Sequence, residues 1–218
     1  MVEENLNPTT DPTSENNKTG DTGQSPYLIV GLGNAGRSYR NNRHNIGFLL
    51  LDRLASNLKV TFSRMRSNAL TTDSLFESCK VILAKPQSYM NLSGFSVSSL
   101  VRFYKVSIEN ILIVYDDVDL PLGKMRLRPF GGSAGQKGMQ SIIKQLGTQD
   151  FPRMRLGIGR PPGRMETANY VLQDFNKDDR EILEMVLDQA VEAALLFISS
   201  GLDDAMNKFN QLDLDGDL

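Results

Sequence analysis

The sequence predicts a single α/β domain, a mixed β-sheet flanked by helices in a three-layer sandwich, and three observations carry that prediction. The chain has 218 residues, 40% of them hydrophobic, which suffices for one full core but not for a second large domain. Short β-branched runs alternate with helical apolar periods and no internal repeat intervenes. The alternation lacks a strict strand-helix-strand rhythm, which favours a sheet of mixed direction over a purely parallel one.

Residues 1–25 are rich in Asn, Thr, Glu, Asp and Pro with little to bury, so a disordered tail is expected. It is acidic where a transit peptide would be basic. The domain is expected over 26–212, with 213–218 as a flexible end. Asp213-Leu-Asp-Gly-Asp has the opening spacing of a calcium loop without the later ligands, and no metal is expected there.

The first strand is expected at Tyr27–Val30. A complete G-x-G-x-x-G follows at Gly31, Gly33 and Gly36, the pattern of a dinucleotide-binding turn. That turn needs a helix to open inside it, with N–H groups facing the phosphates. Here the polar stretch from Arg37 to Asn45 comes first, and the apolar period of a helix begins only at Ile46 and runs to Leu58. Asp52, the only acid available for a ribose, falls inside that helix. The glycines are therefore expected to shape a loop over a cleft.

Further strands are expected at Thr61–Arg66, Leu70–Phe76, Val81–Lys85, Ile111–Tyr115, Lys124–Leu127 and Met154–Gly157. Helices are expected at Gly94–Tyr104, Gly138–Leu146, Asp178–Ser199 and Leu202–Leu212. The long C-terminal helix has Asn176 or Asp178 as its cap, acids in its first turn and Gly201 after its last. Ile182, Leu183, Val186, Ala190, Ala193 and Ala194 recur on its core face.

One cysteine, Cys79, excludes an internal disulfide and a cysteine-based zinc site, and is expected as a small apolar residue in a reducing cytoplasm. No apolar run has the length of a membrane span or the form of a signal core. The net charge of −2 conceals segregation. From Lys124 to Arg164 there are nine basic residues and one acid, Asp150; from Met165 to Leu218 there are thirteen acids and three bases. A basic surface for a polyanion is expected, with a solvated face as the plain alternative.

Polar residues cluster in five stretches. His44, the only histidine, is the side chain suited to take a proton near neutrality, though a lone histidine is also a common surface residue. Lys85-Pro-Gln-Ser-Tyr-Met-Asn-Leu-Ser-Gly94 leaves a strand for a helix; Asn91 can offer an amide, Tyr89 and Met90 an apolar surface, or Asn91 and Ser93 can simply cap the helix. In Val114-Tyr-Asp-Asp-Val-Asp-Leu-Pro-Leu-Gly123, Asp116 emerges from a buried strand, where a carboxylate can hold an imidazole. Its neighbours Asp117 and Asp119 leave magnesium or plain capping as alternatives. Gly131-Gly-Ser-Ala-Gly-Gln-Lys-Gly138 lacks P-loop spacing, yet its N–H groups could meet an anion. In Phe151-Pro-Arg-Met-Arg-Leu-Gly-Ile-Gly-Arg-Pro161, Arg153 and Arg155 alternate on a strand and, with Arg126 and Arg128, form a candidate phosphate-reading strip.

Taken in order, these five stretches resemble bacterial peptidyl-tRNA hydrolase, whose motifs read approximately V-G-L-G-N-P-G…Y…T-R-H-N-x-G, K-P-x-[ST]-[YF]-M-N-x-S-G, [HY]-D-[DE]-[LV]-D-L-P-x-G, G-G-H-N-G and F-x-R-[LV]-[RK]-[IV]-G-[IV]-G-[RH]-P. The resemblance covers Tyr27 to Asn207. It implies that His44 is the catalytic base and Asp116 its partner. Asn34 and Asn91 match asparagines that place the substrate and the attacking water. Tyr39 and Tyr89 match pocket-lining aromatic positions, Met90 is expected beside them among the substrate-binding residues, and Arg126, Arg128 and Arg155 match positions for tRNA phosphates. Two departures stand out: Ala35 replaces the usual proline, and Gln136-Lys137 replaces the usual His-Asn. At this substrate-binding loop Gln136 can still donate or accept a hydrogen bond, whereas Lys137 puts a charge where the family has an amide.

The resemblance further implies a metal-independent monomer, without cofactor or obligate protein partner, acting on peptidyl-tRNA in the cytoplasm. The chemistry is ester hydrolysis: His44 takes a proton from water, Asp116 stabilises the imidazolium, and asparagine amides support the oxyanion. Aminoacyl-tRNA, presenting a charged amine, should be a poor substrate. The rivals are a non-catalytic RNA-binding member of this fold, as in plant organelle intron-splicing factors, and a nucleotide-dependent oxidoreductase.

Overall fold

Seven strands form one sheet in the order β2-β3-β4-β1-β5-β7-β6. The computed structural model describes residues 25–211; the expectations for the tails 1–25 and 213–218, apart from Ser25, lie outside the described residues, and the last helix, expected to reach Leu212, ends at Phe209, where the Asn210 side chain turns to the N–H and carbonyl of Leu127. Strands β1 (Tyr27–Gly31), β4 (Cys79–Pro86), β5 (Ile111–Asp117) and β7 (Arg153–Gly157) run parallel. The hairpin of β2 (Arg64–Arg66) and β3 (Ala69–Phe76) adds to one side, and β6 (Met125–Arg128) closes the other, antiparallel to β7. The sheet is mixed, as its irregular rhythm predicts.

Period-two alternation sends neighbouring residues to opposite cores. Ile29, Leu83, Leu112 and Val114 face one core, with α1 (Ile46–Asn57), α5 (Asp179–Ser200) and α6 (Leu202–Phe209). Leu28, Val30, Ile82, Ile113 and Tyr115 face the other, under α2 (Ser93–Tyr104) and α3 (Lys137–Leu146). The three expected layers follow.

Element ends shift by small amounts, for physical reasons. The expected strand from Thr61 pairs only from Arg64, because the register with β3 runs Arg64 to Thr71. Asp179 N–H donates to Asn176 Oδ1 at 2.8 Å, so Asn176, not Asp178, caps the long helix. Neither Asn91 nor Ser93 caps α2; the Ser93 hydroxyl donates to the Met90 carbonyl at 2.9 Å and Asn91 is exposed. A short helix, α4 (Thr167–Val171), was not expected; only Tyr170 of it is buried, so it has no apolar stripe to betray it.

The glycine motif is a packing device. A Cβ on Gly31 would lie 2.2 Å from the Gly47 carbonyl oxygen, so the end of β1 and the start of α1 touch backbone to backbone. Gly36 has φ +118°, a conformation that L side chains rarely adopt, and leads into a single 3₁₀ turn, Arg37–Tyr39, well before α1. Asp52 sits in α1 as expected and pairs with Lys85 Nζ at 2.5 Å.

Candidate active site

Strand β1 leads to α1 on one face of the sheet, whereas β4 leads to α2 and β5, by way of β6, to α3 on the other. The carboxyl ends flanking β1 are therefore switch points of chain direction, where α/β sheets open crevices. The crevice between β1 and β5 is a cleft of about 560 Å³ lined by Asn34, His44, Met90, Asp116, Gln136 and Lys137 among others. Six of the twelve residues singled out in the sequence thus meet in one place.

His44 lies in a single 3₁₀ turn, Arg43–Asn45, just before α1. Its Nδ1 is 2.9 Å from Asp116 Oδ1 at the end of β5, with side-chain exposures of 15% and 4%. An ionised carboxylate can only accept, so Nδ1 carries the proton and the Nε2 lone pair is left for a substrate. Burial disfavours the imidazolium and is the largest single influence on it; the charge and hydrogen bond of Asp116 together outweigh burial, while Lys137 opposes them. The His44 pKa is held above its ordinary 6.5. Tyr115, beside it in the cleft, is pushed above 10 chiefly by burial, which leaves His44 as the lining group suited to exchange protons near neutrality.

The three aspartates expected as a possible cluster turn to three partners. Asp116 faces His44, Asp117 pairs with Arg155 Nε, and Asp119 pairs with Arg160 at 2.8 Å. Among the described residues no three His, Cys, Asp or Glu side chains converge as a metal site would require.

Gln136 is held by its own loop. Its Oε1 accepts from Met139 N–H at 2.8 Å, capping α3, and its Nε2 points to Asp116 Oδ1 at 3.4 Å and Met90 Sδ at 3.6 Å. It therefore touches the carboxylate that holds His44. Lys137 opens α3 and is exposed at the cleft rim.

The other six, Asn91, Tyr39, Tyr89, Arg126, Arg128 and Arg155, stand outside the cleft lining. Asn91, in the turn Met90–Leu92, is exposed while its neighbour Met90 turns inward. Tyr39 and Tyr89 are 39% and 82% exposed on separate loops. Arg128 is exposed on β6. The antiparallel register sets Arg126 opposite Arg155 and Arg128 opposite Arg153, so all four arginines share the sheet face opposite Met125, Leu127, Met154 and Leu156. Arg153 is withdrawn from that strip: it is 1% exposed and donates to the carbonyls of Gly131, Gly132, Gln149 and Phe151.

Sequence reasoning missed α4 and the two neighbours of His44. Thr167, Ala168, Val171 and Leu172 form one wall of the cleft. Arg43, 7% exposed, bonds the Asp174 carbonyl and Asp179 Oδ2 and lies over the Tyr170 and Phe175 rings. Asn45, 2% exposed, accepts from Asn34 N–H at 2.8 Å and donates to the Asn34 carbonyl at 2.9 Å. A signal was present in the sequence, an arginine and an asparagine flanking the lone histidine, but their partners were not.

The chain is similar to proteins of one family over most of its described length. The family model described as peptidyl-tRNA hydrolase matches residues 28–216. A "Peptidyl-tRNA hydrolase" of Desulfitobacterium hafniense is 47% identical over 184 residues, 84% of this chain and 99% of the relative. A "Peptidyl-tRNA hydrolase, chloroplastic" of Arabidopsis thaliana is 47% identical over 181 residues, and there the match spans 83% of this chain but only 63% of the relative's length. The crystal structure of peptidyl-tRNA hydrolase from Acinetobacter baumannii superimposes with a TM-score of 0.81 at 32% identity, over 87% of this chain and 96% of the other.

Proposed function

The chain belongs to the peptidyl-tRNA hydrolase family, and from that premise we propose that it hydrolyses the ester joining a peptide to the 3′-terminal ribose of tRNA. The observation that carries the reading is the His44–Asp116 pair, bonded to each other in the lining of a cleft of about 560 Å³. His44 Nε2 removes a proton from a water as its oxygen adds to the ester carbonyl. Asp116 keeps the tautomer and stabilises the imidazolium, and that proton then passes to the departing ribose oxygen. General-base help is worth about 10²–10⁴ in rate and an oxyanion donor about 10²–10³, so both are needed.

Asn34, in the cleft lining, supplies an amide to the developing oxyanion, and Asn91, one residue from the lining Met90, steadies the peptide at the rim. Gln136 supports Asp116, and Lys137 meets phosphate at the cleft mouth. Tyr39 and Tyr89 offer exposed rings to the single-stranded 3′ end. Arg126, Arg128 and Arg155 bind tRNA phosphates through charge, which makes affinity fall with salt. The enzyme works as a metal-independent monomer in the cytoplasm; among the described residues no helix is long and apolar enough to cross a membrane.

The test is release of labelled peptide from peptidyl-tRNA by the purified chain in the presence of EDTA, with aminoacyl-tRNA as control. Turnover confined to the peptidyl substrate is expected. Salt-sensitive tRNA binding without turnover would instead make the chain a binding module.

A further inference from the structure

The residues on either side of His44 point to opposite parts of the site. Arg43 belongs to a seam between 41–43 and 172–175. Arg43 N–H donates to the Gln173 carbonyl at 2.9 Å, Asn42 Nδ2 to the Leu172 carbonyl at 2.5 Å, and Phe175 N–H to the Asn41 carbonyl at 3.3 Å. The Arg43 guanidinium adds the Asp174 carbonyl, the Asp179 carboxylate at 2.6 Å and two aromatic faces. This seam begins where α4, the substrate-facing wall, ends. The Asn45 side-chain amide bonds elsewhere, gripping both backbone groups of Asn34.

Resting on the reading above, we propose that the turn Arg43-His44-Asn45 sets three parts of the site at once: His44 is the base, Arg43 the positioning residue for the α4 wall, and Asn45 the positioning residue for the Asn34 amide. One 3₁₀ turn spans all three, so the base, the wall and the oxyanion donor share a single rigid origin. The two positioning residues should have separable kinetic signatures. A wall that touches substrate equally before and during reaction contributes uniform binding, so loosening it raises KM; a donor used mainly as charge develops lowers kcat when it is displaced.

Arg43→Lys keeps a charge but cannot hold two acceptors and two rings together. Its expected effect is a rise in KM of about tenfold with kcat little changed, and faster hydrogen exchange in 167–172 than in the parent. Asn45→Ala removes both bonds to the Asn34 backbone and introduces no charge beside His44. Its expected effect is a fall in kcat of about tenfold or more with KM little changed and exchange in 167–172 unaltered. Asp179→Asn should repeat the Arg43→Lys effect and add little on top of it.

The proposal is overturned if both variants change kcat and KM in parallel with a loss of unfolding midpoint, which marks a merely structural role, or if neither moves either constant. Absence of turnover in the parent chain would reject the proposed function itself. The exchange measurement would in that case still decide whether Arg43 holds α4, and unchanged exchange in Arg43→Lys would overturn this part of the inference too.

Discussion

In the β1–β5 crevice, His44 and Asp116 are nearly enclosed and bonded to each other, whereas on the neighbouring β6–β7 ribbon Arg128 stands in solvent. The crevice depends on one contact of fixed length, so loss of one atom has no substitute. The ribbon presents charge through water, where neighbours share the load and salt competes. Arg155 lies between the two regimes, since it shares the ribbon face yet pairs with Asp117, whose side chain is 4% exposed. A sheet can thus place chemistry and affinity side by side and still let them fail independently.

The largest effects should come from the crevice. His44→Ala and Asp116→Asn are each expected to lower kcat for peptide release by about 10²–10⁴ with the fold retained by circular dichroism. Turnover within tenfold of the parent would remove His44 as the base. The pH profile sharpens the same point. Because the His44 pKa lies above 6.5, kcat/KM should rise with pH through a midpoint above 6.5, and residual activity of Asp116→Asn should rise through a lower one, since burial and Lys137 then act unopposed.

Stability runs the other way. A histidine whose pKa is raised on folding contributes stability that is fully present below its unfolded value and is lost as pH rises through the folded one. Denaturant unfolding of the parent should therefore lose, as pH rises through 6.5 and above, a component that His44→Ala lacks. On the ribbon the effects are smaller. Arg155→Gln leaves Asp117 buried without its cation and should cost about 1–3 kcal/mol in unfolding. Arg128→Gln should leave the unfolding midpoint alone and lower the slope of log affinity for tRNA against log salt by about 0.7–0.9. A large loss of stability in Arg128→Gln, or none in Arg155→Gln, would erase the distinction drawn between the two residues.

The sequence was legible where periodicity reports burial. The run Ile111–Val114 reads as a central strand and is completely buried; the alternating arginines of β6 and β7 do share a face. Periodicity could not tell that Arg153 would be drawn inward, because its acceptors are carbonyls of the 131–132 and 149–151 segments, which carry no signature in side-chain identity. The same limit hid Arg43 and Asn45: a buried arginine and a buried asparagine look like loop residues until Asp179, 136 residues away, and the Asn34 backbone are beside them. Helix α4 escaped for the opposite reason, being short and largely exposed.

The contact between Gly31 and Gly47 limits how this protein can be re-engineered. Replacing a glycine inside a helix by alanine ordinarily stabilises by about 0.5–1 kcal/mol, and Gly47, in the first turn of α1, looks like a candidate for that gain. Its Cβ would meet the Leu32 backbone and the Val114 carbonyl oxygen at 2.6 Å, and a Cβ on Gly31 would strike Gly47 in return. Neither position can be changed to make room for the other, and both lie within a few residues of parts that the site depends on. A thermostabilising library for this chain should therefore hold the pair constant and look for its gains elsewhere, for example on the solvent face of α5.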